Sequence, residues 1–209
     1  MKKLESTFPN MVLSLTCITL VAAAALGGAY MLTAESIEQQ QSAKQTAAIS
    51  AVLPAHDSIA APETVENMTV YKAYANGEFV GAAVETSADG FGGVIQLMVG
   101  FDADNRIVNY EKLSLQETPG LGSKIPEWFK DAKKPGQNII GREANGKFTV
   151  SKDGGDVDAI TAATISSRAF LKAVNAAYEA FHNGAVEATT SASQLTNNDV
   201  NEEMEVSNE

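Results

Sequence analysis

Residues 6–34 carry no charged side chain, and residues 11–32 within them are predominantly apolar. Built as a helix at 1.5 Å per residue, the apolar run is about 33 Å long, enough to cross a hydrocarbon core of roughly 30 Å. Such a run has to be buried, in lipid or inside a large core. With 209 residues, of which 44% are hydrophobic and 20% charged, the chain has room for one globular domain beside it. The sequence therefore predicts a transmembrane helix over residues 11–34. A cleaved signal peptide is the rival reading, because Lys2 and Lys3 supply a basic start and Ala34 a small residue for cleavage, but the run exceeds an ordinary signal core. Lys2 and Lys3 precede the run, whereas Glu35 and Glu38 follow it. By the positive-inside rule, residues 1–10 stay in the cytoplasm and the rest of the chain lies outside.

Beyond the span, residues 35–52 are rich in Ala, Gln, Ser and Glu, which suits an exposed helix that Pro54 stops. Residues 35–64 are therefore read as a stalk and linker. The globular part follows over residues 65–184. Extended segments at 68–75 and 78–86 flank Asn76-Gly77, a strong hairpin signal. A second hairpin is expected from residues 93–101 and 106–116, joined by Asp102-Ala103-Asp104-Asn105. Next come a short helix over residues 126–134, a turn at Asn145-Gly146 and a strand over 147–152. The last element is a helix over residues 165–182, with Phe170, Val174, Ala177 and Phe181 on one stripe and Asn183-Gly184 as its stop. Strands followed by helices in this order indicate an α+β fold, helices packed on one antiparallel sheet.

The formal net charge of −11 argues against nucleic acid, which clustered Lys and Arg would bind. Much of the excess lies past residue 183, where six acidic residues occur without Lys or Arg, so residues 185–209 read as an acidic disordered tail. Cys17 is the single cysteine and lies inside the apolar run, so no intramolecular disulfide or thiolate-held metal cluster can form. His56 and His182 are most simply surface residues. Asp153, Asp156 and Asp158 have the alternation of a calcium loop but not its later bidentate Glu.

Two stretches carry chemistry. In Asp158-Ala159-Ile160-Thr161-Ala162-Ala163-Thr164-Ile165-Ser166-Ser167, hydroxyls cluster where a loop becomes a helix, and the free N–H groups and dipole of a helix start suit a phosphate. The plainer reading is capping, with Thr161, Thr164 or Ser166 bonding those N–H groups. In Glu117-Thr118-Pro119-Gly120-Leu121-Gly122-Ser123-Lys124-Ile125, Pro fixes one φ and two glycines allow close backbone approach. Such a loop can lie against a flat ligand, or simply link a strand to a short helix. Trp128 invites a stacking role, but an aromatic in this context is more often a packing residue.

The first stretch resembles the flavinylation motif of FMN-binding domains, Asp-x-x-[Ser/Thr]-Gly-Ala-[Thr/Ser], whose last hydroxyl carries FMN through a phosphoester. The resemblance makes Asp158 the leading acid, Thr161 the first hydroxyl and Thr164 the acceptor, with Ile165 and Ser166 beside it. Ala162 departs from the pattern, which usually has Gly; its methyl suits a helical or extended backbone and not a positive φ. Glu-Thr-Pro-Gly-Leu-Gly followed by this run resembles the G subunit of the Rnf electron-transport complex and the C subunit of the sodium-translocating NADH:quinone reductase. That resemblance implies an FMN-binding domain over residues 65–184, with Glu117, Thr118, Leu121, Gly122 and Lys124 bordering the flavin. It further implies covalent FMN on Thr164, installed by a flavin transferase that uses FAD and magnesium. The partners are then the other membrane and peripheral subunits of an ion-translocating oxidoreductase in the inner membrane, with no substrate turned over by this chain alone. The shorter length favours the Rnf relative. An anchored non-redox binding module, with the hydroxyls only capping, is the more distant alternative.

The topology has a direct test. A reporter fused after residue 60 should be active only when it matures outside the cytoplasm, and the protein should resist carbonate extraction. Release into the soluble fraction would indicate a cleaved signal peptide, and a cytoplasmic signal would reverse the orientation.

Overall fold

The computed structural model describes residues 7–205, with side-chain surroundings through Gly184. Lys2 and Lys3, which carry the orientation argument, lie outside the described residues. The chain divides into two compact units, residues 1–45 and 46–209. Helix α1 (Phe8–Val52) contains the apolar run, its large apolar side chains from Phe8 to Leu32 stand exposed, and it is long and apolar enough to cross a membrane.

The second unit is built on an antiparallel sheet of β1 (Ser58–Ile59), β2 (Glu63–Val65), β3 (Met68–Ala75), β4 (Glu78–Asp89), β5 (Val94–Asp102) and β6 (Ile107–Leu115). The strands follow the order β1-β3-β4-β5-β6, with β2 also paired to β3. The β3–β4 turn has Asn76 at φ 52° and Gly77 at φ 83°, the positive pair that a tight hairpin needs. Between β5 and β6, Asp102 Oδ1 accepts the Asp104 and Arg106 N–H groups while Asn105 takes φ 62°. Both expected hairpins are therefore present, held by the residues that announced them.

Period-two alternation splits the sheet into two cores. On one face, Val84, Ile95, Leu97, Val99, Phe101 and Tyr110 pack against α3 (Thr164–Glu205), whose Phe170, Val174, Ala177 and Phe181 are all buried. On the other, Ala73, Ala83 and Met98 meet Ala48, Ile49, Val52 and Leu53. Gly100 permits that second contact, because a Cβ there would strike the Val52 backbone. The last turns of α1 and strands β1 and β2 thus pack within the second unit, so the stretch read as stalk and linker is divided between the two units.

Three elements differ from expectation. The short helix is α2 (Ile125–Trp128), ending well before residue 134 as the chain enters separate turns in which Lys130 N–H donates to Glu127 O and Lys134 N–H to Asp131 O. Residues 147–152 form no ladder strand: the Asn175 side chain bonds both the N–H and C=O of Phe148 at 2.9 Å, and only an isolated bridge joins Val150 to Val157. One amide on α3 thus satisfies the groups that a partner strand would otherwise take. Helix α3 also does not stop at Asn183-Gly184. Gly184 lies against Val65, where a Cβ would sit 3.3 Å from Val65 Cγ2, and Asn183 Nδ2 donates to Glu66 Oε1 at 2.8 Å, so these two residues serve packing and not termination. The helix runs on to Glu205, and residues 206–209 lie outside the described residues.

Candidate functional site

The chain from Gly136 to Ala163 is largely loop, tied down by specific bonds. Asp158 N–H donates to Gly136 O, Asp158 Oδ1 accepts from Ser151 Oγ at 3.1 Å, and Asp158 O accepts from Trp128 Nε1 at 2.9 Å. Asp158 therefore joins three segments while remaining exposed. Trp128 is spent in that joint, with Lys134 Nζ 5.5 Å over its ring, and is a packing residue.

Ile160 to Ala163 then form a turn, closed by Ala163 N–H donating to Ile160 O at 3.0 Å. Ala162 is its third residue and takes φ 62°. A turn with positive φ at that position prefers Gly, which explains the glycine of the flavinylation motif and gives its replacement by Ala a cost of about 1 kcal/mol or somewhat more. The loop thus holds a conformation that an alanine methyl does not favour. It is held by Ser167, fully buried, whose Oγ accepts the Ile160 N–H at 2.9 Å and donates to Ala163 O at 3.0 Å. Ser167, and not one of the hydroxyls weighed as caps, ties the turn to the helix.

Helix α3 begins at Thr164. Its start and the Pro-Gly loop face one another across a cavity of about 380 Å³ lined by Glu117, Thr118, Leu121, Gly122, Thr164, Ile165 and Ser166, together with Phe91, Ala162 and Ala163. That volume lies within the range of ligand pockets, roughly 300–1,000 Å³. The two motifs, about forty residues apart in the chain, are thereby one site. Thr161 and Lys124 are exposed, and with Asp158 they fall outside the lining.

Both glycines of the loop are accounted for. Gly120 takes φ 76°, with its N–H donating to Ser123 Oγ at 2.8 Å. Gly122 is buried where a Cβ would lie 2.7 Å from Glu117 Cδ and 2.8 Å from Ser166 Oγ, so the backbone passes between those two side chains. Glu117 Oε1 accepts the Phe91 N–H at 2.8 Å. Glu117 Oε2 is buried with no hydrogen-bond partner among the described residues. A buried acceptor left unpaired costs of the order of 1–3 kcal/mol, and a donor on a bound molecule would relieve it.

Lys152 and Phe91 were missed from sequence. Lys152 Nζ donates to Thr164 Oγ1 at 3.2 Å, so a cation stands at the hydroxyl that would carry a phosphate. Its turn, Ser151–Asp153, is clamped to α3 by a bidentate pair in which Arg168 Nε and Nη2 each reach Asp153 at 2.6 Å. The guanidinium holds the Asp153 carboxyl below the usual carboxylate range. The clamp is therefore complete above the ordinary Asp pKa and is lost as pH falls through the lowered one. The other two acids of the calcium-like alternation are engaged separately, Asp156 with Arg142 Nη1 at 2.7 Å and Asp158 with Ser151. The signal for Lys152 was its place in Lys152-Asp153-Gly154-Gly155, a lysine in a glycine-containing turn just ahead of the hydroxyl-rich run.

The cavity thus has apolar walls, the Thr164 hydroxyl that Lys152 reaches, and the Glu117 carboxyl among its lining residues. Residues 90–179 match the FMN-binding domain family. The G subunit of the ion-translocating oxidoreductase complex of Shewanella amazonensis is 35% identical over 184 residues, covering 78% of this chain and 83% of that one. The corresponding protein of Aliivibrio fischeri is 35% identical over 190 residues, 82% and 89% of the two chains, and that of Vibrio atlanticus 36% over 165 residues, 72% and 78%. The chain belongs to the G-subunit family of Rnf-type ion-translocating oxidoreductase complexes.

The strain at Ala162 is measurable. Ala162→Gly should raise stability by about 0.5–1 kcal/mol once the larger chain entropy of Gly is subtracted, a Tm increase of roughly 1–4 °C in a domain of this size. A lower Tm would mean that the left-handed residue is unstrained.

Proposed function

We propose that this chain is a membrane-anchored electron carrier whose FMN is held through a phosphoester on Thr164. It works as one component of an Rnf-type complex that couples electron transfer to ion translocation. The observation that carries the reading is the meeting of the Thr164 hydroxyl and the unpartnered Glu117 oxygen on one cavity. FMN, when bound, supplies the redox chemistry, and the protein supplies position and electrostatics.

Thr164 Oγ1 is the acceptor of the phosphate. The free N–H groups and positive end of α3 favour the phosphate charge, and Lys152 adds a cation within reach. Leu121 and Ile165 provide apolar wall, Gly122 lets the Glu117 and Ser166 side chains close on the loop backbone, and Glu117 Oε2 is the acceptor offered to the ligand. Thr118 and Ser166 complete the lining. Asp158 and Thr161 act on the site only through the loop, and Lys124 is left outside it.

The helix at residues 11–34 anchors the chain in the inner membrane with the FMN domain on the outer face, as the flanking charges favour. A domain beyond the cytoplasmic flavin pool cannot readily replace a cofactor that dissociates, so a covalent link suits this location. A flavin transferase installs the cofactor, and the remaining membrane and peripheral subunits of the complex supply and remove electrons. The chain has no separate substrate of its own.

Thr164→Val keeps the shape of the side chain and removes its oxygen. It should abolish in-gel flavin fluorescence in cells that express the transferase, with little change in Tm. Fluorescence at the wild-type level would move the acceptor to Thr161 or Ser166.

The Glu117 carboxylate should disfavour electron uptake by a flavin in this cavity, by up to a few kcal/mol at contact range with an effective dielectric near 20. Glu117→Gln should therefore keep covalent FMN and raise its reduction potential in potentiometric titration, while Lys124→Gln, outside the lining, should leave the potential unchanged. An unchanged potential in the Glu117 variant would set the ring away from the Pro-Gly loop.

A further inference from the structure

The turn between β4 and β5 is Gly90-Phe91-Gly92-Gly93, closed by Gly90 N–H donating to Gly93 O at 2.9 Å. Three of its four residues are glycine, and the reason is contact with the segment that leads into the Pro-Gly loop. A Cβ on Gly90 would strike Glu117 Oε1, one on Gly92 would lie 2.7 Å from Gln116 O, and one on Gly93 would lie 2.9 Å from Gln116 Cβ. The turn is thus pressed flush onto residues 116–117. Phe91 N–H then donates to Glu117 Oε1 at 2.8 Å, which fixes the Phe91 backbone at the rim of the cavity.

The side chain is treated in the opposite way. Phe91 is 69% exposed, although a Phe gains about 1.5–3 kcal/mol when fully buried. Single exposed apolar residues are ordinary on protein surfaces. This one differs because its backbone is clamped by an acceptor and three close glycine approaches, and because Phe91 is a lining residue of the cavity together with Leu121 and Ile165, the latter 53% exposed. The cavity therefore borders one exposed aromatic and one exposed aliphatic residue, Phe91 and Ile165, with the half-buried Leu121 beside them. A flat, aromatic occupant fits that arrangement, since aromatic rings pair with centroids about 4.5–7 Å apart in offset or edge-on geometry.

We propose that Phe91 is the stacking platform of this site, its ring packing against the isoalloxazine of the flavin. The proposal rests on the reading of Thr164 as the FMN acceptor and deepens it by naming what holds the ring end of the cofactor. The Gly-Phe-Gly-Gly turn is then the third wall of the site, contributed by the sheet, beside the Pro-Gly loop and the start of α3. Glu117 serves both walls: Oε1 holds the turn, and Oε2 is left for the ligand.

The test uses the full chain, coexpressed with a flavin transferase and purified in detergent. Indole in contact with a flavin quenches its fluorescence by electron donation. Phe91→Trp should therefore retain the FMN mass increment and lose severalfold in fluorescence per attached flavin. Ile59→Trp, on strand β1 and outside the cavity lining, should leave the fluorescence unchanged. Phe91→Leu should retain FMN and make its fluorescence severalfold more susceptible to iodide, because the ring loses its cover. Wild-type fluorescence in a fully loaded Trp variant, or unaltered iodide access in the Leu variant, would overturn the stacking role and leave Phe91 as a docking contact for a neighbouring protein of the complex. Absence of the FMN increment from the wild-type chain would instead refute the Thr164 reading. If the Trp variant is not loaded, the iodide result on the Leu variant decides.

Discussion

Phe170 lies between two rings, stacked on Phe129 with centroids 4.4 Å apart and tilted against Tyr110 at 4.8 Å. All three are fully buried, and Tyr110 spends its hydroxyl on Ile125 O at 2.7 Å. Burial pushes the Tyr110 pKa up, so this hydroxyl stays protonated and donates across the working pH range. The cluster joins strand β6, the end of α2 and the first turns of α3. Because Phe170 comes six residues after Thr164, the place where the helix starts is set by packing in the core. The rest of the apolar stripe, Val174, Ala177 and Phe181, only extends that grip along the sheet. The position of the Thr164 hydroxyl is therefore a property of the hydrophobic core, which a flexible loop could not provide.

Around this fixed point the site is made by close approach of backbone. Gly122 passes between Glu117 and Ser166, and the glycines of the β4–β5 turn lie on residues 116–117. The charged residues act at the edges: Arg168 and Asp153 pin the turn that brings Lys152 to Thr164. One position works against the rest. Ala162 takes a left-handed conformation in a turn suited to Gly, and the bonds of Ser167 on either side of it hold the turn regardless. Local strain of this kind is a familiar feature of functional loops.

Much of this was legible from the chain. Asn76-Gly77 and the Asp102–Asn105 segment gave the hairpins because positive φ has few residues to serve it, and the α3 stripe gave the helix because apolar spacing records its buried face. The pairing of Glu117–Gly122 with Thr164 came from resemblance to a family, since no local rule brings together segments about forty residues apart. What escaped depended on tertiary partners. Residues 147–152 have strand-like composition, yet Asn175 takes the Phe148 hydrogen bonds. Asn183-Gly184 looks like a helix stop, yet Gly184 is there for Val65. Phe91 was invisible because an aromatic among glycines reads as a loose turn until the segment beneath it is known, and Lys152 because its contact is made by a side chain across a loop.

The central claim is that one hydroxyl, Thr164, carries the cofactor. Cleavage after Lys152 and Arg168 releases a peptide containing Thr161, Thr164, Ser166 and Ser167 together, the four hydroxyls in question. Fragmentation mass spectrometry of that peptide, from protein made in the presence of a flavin transferase, should find the FMN phosphoester on Thr164 and no other residue. An unmodified peptide, or FMN on any of the other three, would contradict the account.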